Sequence, residues 1–144
     1  MKNRFITLFI VLLLFFVNSE KILANDFTFN TETIEIIDNG NIILAKNGTV
    51  EFIDRDLSVK ANEIHYNSSS SIFLAKGNVE IIDRKKKINL ISNSISFNNN
   101  KSIIKSETKS IINDKFGNNF QVESFNYSLN DNLIKINDAV FIDV

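Results

Sequence analysis

Ser71-Ile72-Phe73-Leu74-Ala75-Lys76-Gly77-Asn78-Val79-Glu80-Ile81-Ile82-Asp83-Arg84-Lys85-Lys86-Lys87-Ile88-Asn89-Leu90-Ile91-Ser92-Asn93-Ser94-Ile95-Ser96-Phe97-Asn98 is the stretch that decides the fold. Val79 and Ile81 alternate with polar neighbours, as do Ile88 and Leu90, and then Ile95 and Phe97. A period of two puts alternate side chains on one face, the mark of a half-buried β-strand. The charge cluster Asp83–Lys87 between the first two runs predicts a turn. A near-copy of the unit runs from Ile42 to Asn67.

Outward from this stretch the same grammar continues. Phe27-Thr28-Phe29 and Ile34–Ile37 predict opening strands. Asp38-Asn39-Gly40-Asn41 follows, and Asn-Gly between apolar runs predicts a hairpin with a type I′ turn. Ile42–Ala45 is the expected return strand, and Thr49–Ile53 carries Val50 and Phe52 on one face. Asp54-Arg55-Asp56 predicts a turn, Leu57–Tyr66 a long strand, and Asn67–Ser71 a polar turn. Beyond the N-terminal apolar run no stretch has a helical period, so the fold class is all-β.

The spacing is regular. Ile43, Phe73, Ile103 and Leu133 follow one another at steps of 30, and Asp54, Asp83, Asp114 and Asp143 at steps of 29, 31 and 29. These intervals predict a ~30-residue repeat, present in four partial copies. Inside the long strands the apolar parity switches. Leu57, Val59 and Ala61 give way to Ile64 and Tyr66; Ile88 and Leu90 to Ile95 and Phe97; Phe120 and Val122 to Phe125 and Tyr127. A one-residue slip would throw the apolar set to the wrong face. A β-bulge or bend near Asn62, Asn93 and Ser124 restores it. Strands bent at matching points fold a sheet over itself, which predicts an antiparallel β-jelly-roll or V-shaped sandwich.

Composition bounds the function. The chain has 144 residues. Lys2 and Arg4 precede an apolar run from Phe5 to Val17, and Ile22-Leu23-Ala24 ends in a small residue. That layout predicts a signal peptide over residues 1–24, with the domain proper over 25–144. The apolar run falls short of the ~20 residues a membrane-spanning helix needs. Removing residues 1–24 takes away Lys2, Arg4, Lys21 and Glu20, leaving 13 basic against 16 acidic residues and a formal charge of −3. That charge is no footprint for nucleic acid. Cysteine and proline are absent, so neither a disulfide, a thiolate metal site nor a lipidated Cys is available, and sheet and core must hold the domain together.

Chemistry-bearing residues are few. His65 is the only histidine and alternates outward between Ile64 and Tyr66, so neither a thiol nucleophile nor a multi-His metal centre can be built. Asp54, Asp83, Asp114 and Asp143 each fall where a strand ends, the place of a turn-forming Asp. No catalytic set, metal site or cofactor is expected. The basic run Arg84–Lys87 reads as a solvated hairpin tip, with phosphate on a lipid head group as its functional alternative.

What remains is a one-sided apolar face: Val50, Phe52, Val59, Ile64, Tyr66, Phe73, Val79, Ile81, Leu90, Ile95, Phe97, Val122, Phe125 and Tyr127. Both a closed sandwich core and an incompletely closed groove for acyl chains fit this pattern. Ten methylenes buried in such a groove would contribute roughly 8 kcal/mol before ordering costs.

Ala61-Asn62-Glu63-Ile64-His65-Tyr66-Asn67, followed by Ala75-Lys76-Gly77-Asn78-Val79-Glu80-Ile81, resembles the recurring signature of the OstA-like lipopolysaccharide-transport proteins. That family comprises the carrier LptA, the periplasmic part of LptC and the N-terminal domain of LptD. Ser92-Asn93-Ser94-Ile95-Ser96-Phe97-Asn98 is a worn second copy, and the resemblance spans about residues 34–144. It implies a β-jelly-roll whose interior carries lipid A acyl chains of lipopolysaccharide across the periplasm of a Gram-negative cell. It also implies head-to-tail stacking with other OstA-like domains through edge strands, in keeping with the tendency of free edges to accept further strands. Two alternatives stand beside the carrier: the N-terminal part of an LptD-like outer-membrane assembly protein, and an adhesive β-solenoid that binds no lipid. The chain lacks the cysteines found in the LptD group and reaches Val144 in mid-repeat.

Overall fold

The computed structural model describes residues 27–141. The expected signal peptide and Asp143 lie outside the described residues. Among the described residues eleven strands form one antiparallel sheet: β1 (Phe27–Ile37), β2 (Ile42–Phe52), β3 (Leu57–Asn67), β4 (Ile72–Asp83), β5 (Ile88–Asn98), β6 (Ile103–Ser106), β7 (Ser110–Asn113), β8 (Asn119–Val122), β9 (Ser124–Ser128), β10 (Leu133–Asn137) and β11 (Val140–Phe141). The chain runs back and forth without a crossover. β1 to β5 pair in sequence order. β6 and β7 then cover the two halves of β5. β9 joins β6 to β10, and β8 joins β7 to β11. The last six segments are thus three interrupted strands, and the sheet is a meander eight strands wide.

The first hairpin turns as its sequence predicts. Asn39 sits at φ 52°, ψ 34° and Gly40 at φ 91°, and the Asn41 N–H donates to the Asp38 carbonyl at 2.9 Å. Both central residues take the positive φ of a type I′ turn, which Asn and Gly tolerate best. Three expected boundaries are corrected. β1 is one strand rather than two, and β2 runs unbroken through Lys46–Gly48. There the Asn47 side-chain amide donates to Glu32 at 2.9 Å, so a polar pair bridges the ladder where the apolar pattern lapses. Ile53, expected at the end of a strand, instead opens a 3-10 turn over Ile53–Arg55.

A crease crosses the sheet at mid-strand. Asn62 and Glu63 on β3 are both exposed, and the buried parity moves from Ala61 to Ile64. β5 switches likewise between Ser92 and Ile95 across exposed Asn93. On the last three strands the crease is a break, between β6 and β7, between β8 and β9, and between β10 and β11. The register shifts by one residue on both sides of β4, between Lys60/Glu63 and Lys76/Val79. The extra residue therefore belongs to β4, where Gly77 and Asn78 take φ of 74° and 48°. The expectation of a bulge or bend near Asn62, Asn93 and Ser124 did not include β4, and a left-handed pair of this kind bends a strand and raises its twist.

The bend closes the sheet on itself. Along β3, Leu57 pairs with Phe52 and Tyr66 pairs with Phe73. Nine residues of extended strand separate Leu57 from Tyr66, about 30 Å. Yet the rings of Phe52 and Phe73 lie 5.0 Å apart, and those of Phe52 and Phe97 4.9 Å apart, both edge-on. The two halves must face each other, with the core between them. At the crease a buried hydroxyl cluster lines the interior: Ser92, Ser106 and Ser110 bond one another at 2.9–3.2 Å and share Thr108 as a partner.

Candidate functional site

The inner face is built as rows that cross the sheet from strand to strand. Ile36, Ile43, Tyr66, Phe73, Phe97, Ile104, Tyr127 and Ile134 stand opposite one another in succession, one per strand across all eight. Every member is apolar or aromatic. On the other side of the crease Phe29, Val50, Val59, Ile81, Leu90, Ile112 and Phe120 form a second row in the same way. Register thus turns a period of two along each strand into continuous apolar bands across it.

Of the fourteen residues expected on the apolar face, thirteen are buried and belong to one cluster, and Tyr66 is half-buried against it. Leu57, Ile104, Ile112 and Phe27, outside that expected set, are also in the core. Leu57 carries a signal, since it shares parity with Val59 and Ala61. Ile104 is hidden in the doublet Ile103-Ile104, where alternation does not decide which side chain points inward. An aromatic group fills the space between the halves. Phe27 meets Tyr66 and Phe73 edge-on, each at 4.9 Å, and Tyr66 stacks on Phe73 at 4.2 Å. The interior is packed against itself.

The bands come to the surface at the two edges of the sheet. On β1, which among the described residues pairs only with β2, Ile34 and Ile36 are 51% and 61% exposed. On the opposite edge, inner-face Ile136 is exposed and Ile134 is half-buried against the core, while exposed Leu133 and Val140 point outward. Ile36 and Ile134 are the two ends of one inner row, so that row runs from one free edge to the other.

Opposite the crease, polar contacts bridge the mouth between the halves. Arg55, in the turn after β2, donates to Ser102 Oγ at 2.7 Å and to the Asn99 carbonyl at 3.2 Å, and lies 5.7 Å from the Phe97 ring centre. The Tyr127 hydroxyl donates to Asp83 at 2.6 Å. Lys86 donates to the Leu129 carbonyl at 2.5 Å and sits over the Tyr127 ring. Burial, and then the hydrogen bond and charge of Asp83, push the Tyr127 hydroxyl far above the ordinary tyrosine pKa. Asp83 also accepts the Lys86 N–H at 2.9 Å, as a turn-forming Asp does. The turn role foreseen for it is therefore accompanied by burial, which the sequence did not signal. His65 is exposed on β3. Among the described residues no three His, Asp or Glu side chains are grouped to hold a metal ion.

No protein-family model matches the sequence, and no curated protein matches it. A structural match does exist, to the crystal structure of LptH, the LptA homologous periplasmic component of the lipopolysaccharide transport device from Pseudomonas aeruginosa. The likeness has a TM-score of 0.71 at 9% identity and covers 82% of this chain and 94% of LptH. The chain has the LptA-like fold. At so low an identity the agreement is one of backbone architecture, and it coincides with the family likeness carried by Ala61–Asn67 and Ala75–Ile81.

Proposed function

We propose that this chain is an exported, lipid-binding module of lipopolysaccharide transport, not an enzyme. In this reading residues 1–24 are a cleaved signal peptide and residues 25–144 work in the periplasm, near or at the outer membrane. The inner face takes the acyl chains of lipid A, with Val50, Phe52, Val59, Ile64, Tyr66, Phe73, Val79, Ile81, Leu90, Ile95, Phe97, Val122, Phe125 and Tyr127 as the lining. The observation that carries the reading is the apolar row from Ile36 to Ile134, unbroken across eight strands from one edge to the other, exposed at Ile36 and half-buried at Ile134.

A row that reaches both edges suits head-to-tail joining. Adding the β10 edge of one OstA-like domain to the β1 edge of another would pair backbone groups that are otherwise unpaired and continue the row into the next domain. Because the interior is packed, taking up an acyl chain requires the two halves to part at the mouth, with the crease as hinge. The adhesive solenoid draws no support from the pairing, since every strand pair among the described residues is antiparallel.

Photo-crosslinking tests the proposal. A photoreactive side chain placed in turn at Ile36, Tyr66, Val79 and Phe97 is expected to yield lipopolysaccharide adducts in cells, while one at outward-facing His65 yields none. No adduct from any of the four inward positions would overturn the lipid-carrying reading.

A further inference from the structure

The Lys85–Lys87 tip does not merely project into solvent. It joins a second turn, Asp114–Asn118, to wall an open cleft of about 510 Å³ at the mouth of the folded sheet. Four lysines line it, Lys85, Lys86 and Lys87 from one turn and Lys115 from the other, together with Ile88, Phe116 and Ile134. A chain with a formal net charge of −1 thus gathers four of its 16 basic residues in one place.

The charges there are available. Neighbouring Arg84 is neutralised by Glu51 at 3.1 Å and Asp56 at 3.7 Å, whereas Lys85, Lys87 and Lys115 form no ion pair among the described residues. The one acid in the lining, Asp114, is turned into its own loop, where it accepts the N–H groups of Phe116 and Asn118 and the Asn118 amide at 2.7–2.9 Å. Both turns are preset. Lys86 is tied to Leu129 and, through its N–H, to Asp83, and Lys87 is held at φ 57°. Turns fixed in advance lose little freedom when a ligand arrives.

We infer that this cleft binds the phosphate of an anionic lipid head group, with the attached chain entering the mouth beside Ile88 and Ile134. Ammonium groups supply the charge and hydrogen bonds that phosphate requires. Phe116, 76% exposed, and Ile134, the end of an inner row, supply the apolar path that a free ion would not use. The inference rests on the lipid-carrying reading for the fate of the chain, and on the lysines alone for the head group.

The test uses the full mature chain and three soluble probes: dihexanoyl phosphatidic acid, dihexanoyl phosphatidylcholine and inorganic phosphate, each followed by calorimetry at low and high salt. Phosphatidic acid is expected to bind most tightly, with an affinity that falls as salt rises. The variant Lys85→Gln/Lys87→Gln/Lys115→Gln is expected to weaken it on the order of a hundredfold at low salt, from about fivefold per ammonium. Lys60→Gln/Lys105→Gln, remote from the cleft lining, is expected to change nothing. Equal affinity for the two lipids, or no loss in the triple variant, would overturn the head-group site while leaving acyl-chain carriage standing. Inorganic phosphate binding as tightly as phosphatidic acid would overturn the lipid as occupant. Absence of binding by either lipid would overturn both readings.

Discussion

The Tyr127 hydroxyl, on β9, donates a 2.6 Å hydrogen bond to the carboxylate of Asp83 at the end of β4, and both side chains are buried. The pair ties one half of the folded sheet to the other at its mouth. Tyr127→Phe leaves a buried carboxylate short of a donor and is expected to cost about 1–3 kcal/mol in urea unfolding.

The same pair predicts a pH dependence. The folded-state pKa of Tyr127 lies above its unfolded value, so the native state holds this proton more firmly. Its contribution is fully present below about pH 10, the unfolded value, and is lost as pH rises from there toward the folded value. Thermal melts should show a fall in stability beginning above about pH 10 that is smaller in Tyr127→Phe.

Arg55 is expected to hold the mouth shut from the other side. Arg55→Ala removes two hydrogen bonds and the contact with the Phe97 ring, at a cost of about 1–2 kcal/mol. Hydrogen exchange should quicken first at the turn 99–102. Arg55→Lys should restore little, because one ammonium cannot serve both acceptors and the ring in the planar arrangement of a guanidinium.

Two glycines at the crease are expected to differ in their response to alanine. At Gly48 an added Cβ would meet the backbone of β1, 2.5 Å from Thr31 Cα and against the Asn30 carbonyl. Backbone cannot step aside, so Gly48→Ala should destabilise by about 2–3 kcal/mol. At Gly77 the nearest atoms belong to the Asn62 side chain, at 2.9 Å. Rotation moves that amide but not the Asn62 Cβ at 3.1 Å, which must give slightly, and positive φ adds about 1 kcal/mol. Urea midpoints of the two variants, measured side by side, check the order.

At low pH the Asp114 turn should weaken. Burial opposes ionisation there, but hydrogen bonds from the Asn118 side chain and from the N–H groups of Asn118, Phe116 and Gly117 outweigh it and hold the carboxyl below its usual range. The contribution is present above the unfolded pKa of about 3.9 and disappears as pH falls through the lower folded value. Asp114→Asn should flatten that acid limb in a pH series of melts.

Much of this architecture was legible in the sequence because its determinants are local. Asn39-Gly40 specifies its turn through the φ values only such residues accept easily. The parity switches at Asn62 and Asn93 mark the crease on β3 and β5 directly. On β4 the crease is invisible, since Phe73, Ala75, Val79 and Ile81 all share one parity. There the inserted residue offsets the switch, and only the pairing of β4 with its neighbours reveals it. The fourteen apolar positions were readable by alternation. Whether they would close on one another was not, because closure depends on contacts such as Phe52 with Phe73, made across the fold rather than along a strand. The burial of Asp83 was illegible for the same reason: its partner lies 44 residues away.

A sheet in which each strand hydrogen-bonds mainly to its sequence neighbours can change length cheaply. A hairpin inserted at either edge lengthens every inner row by two side chains and leaves a new edge of the same kind. No existing register need be broken, and no crossover need be rerouted. Evolution can therefore tune the span of such a domain by whole hairpins, much as a ladder is extended by rungs, with its interior chemistry kept intact at every intermediate length.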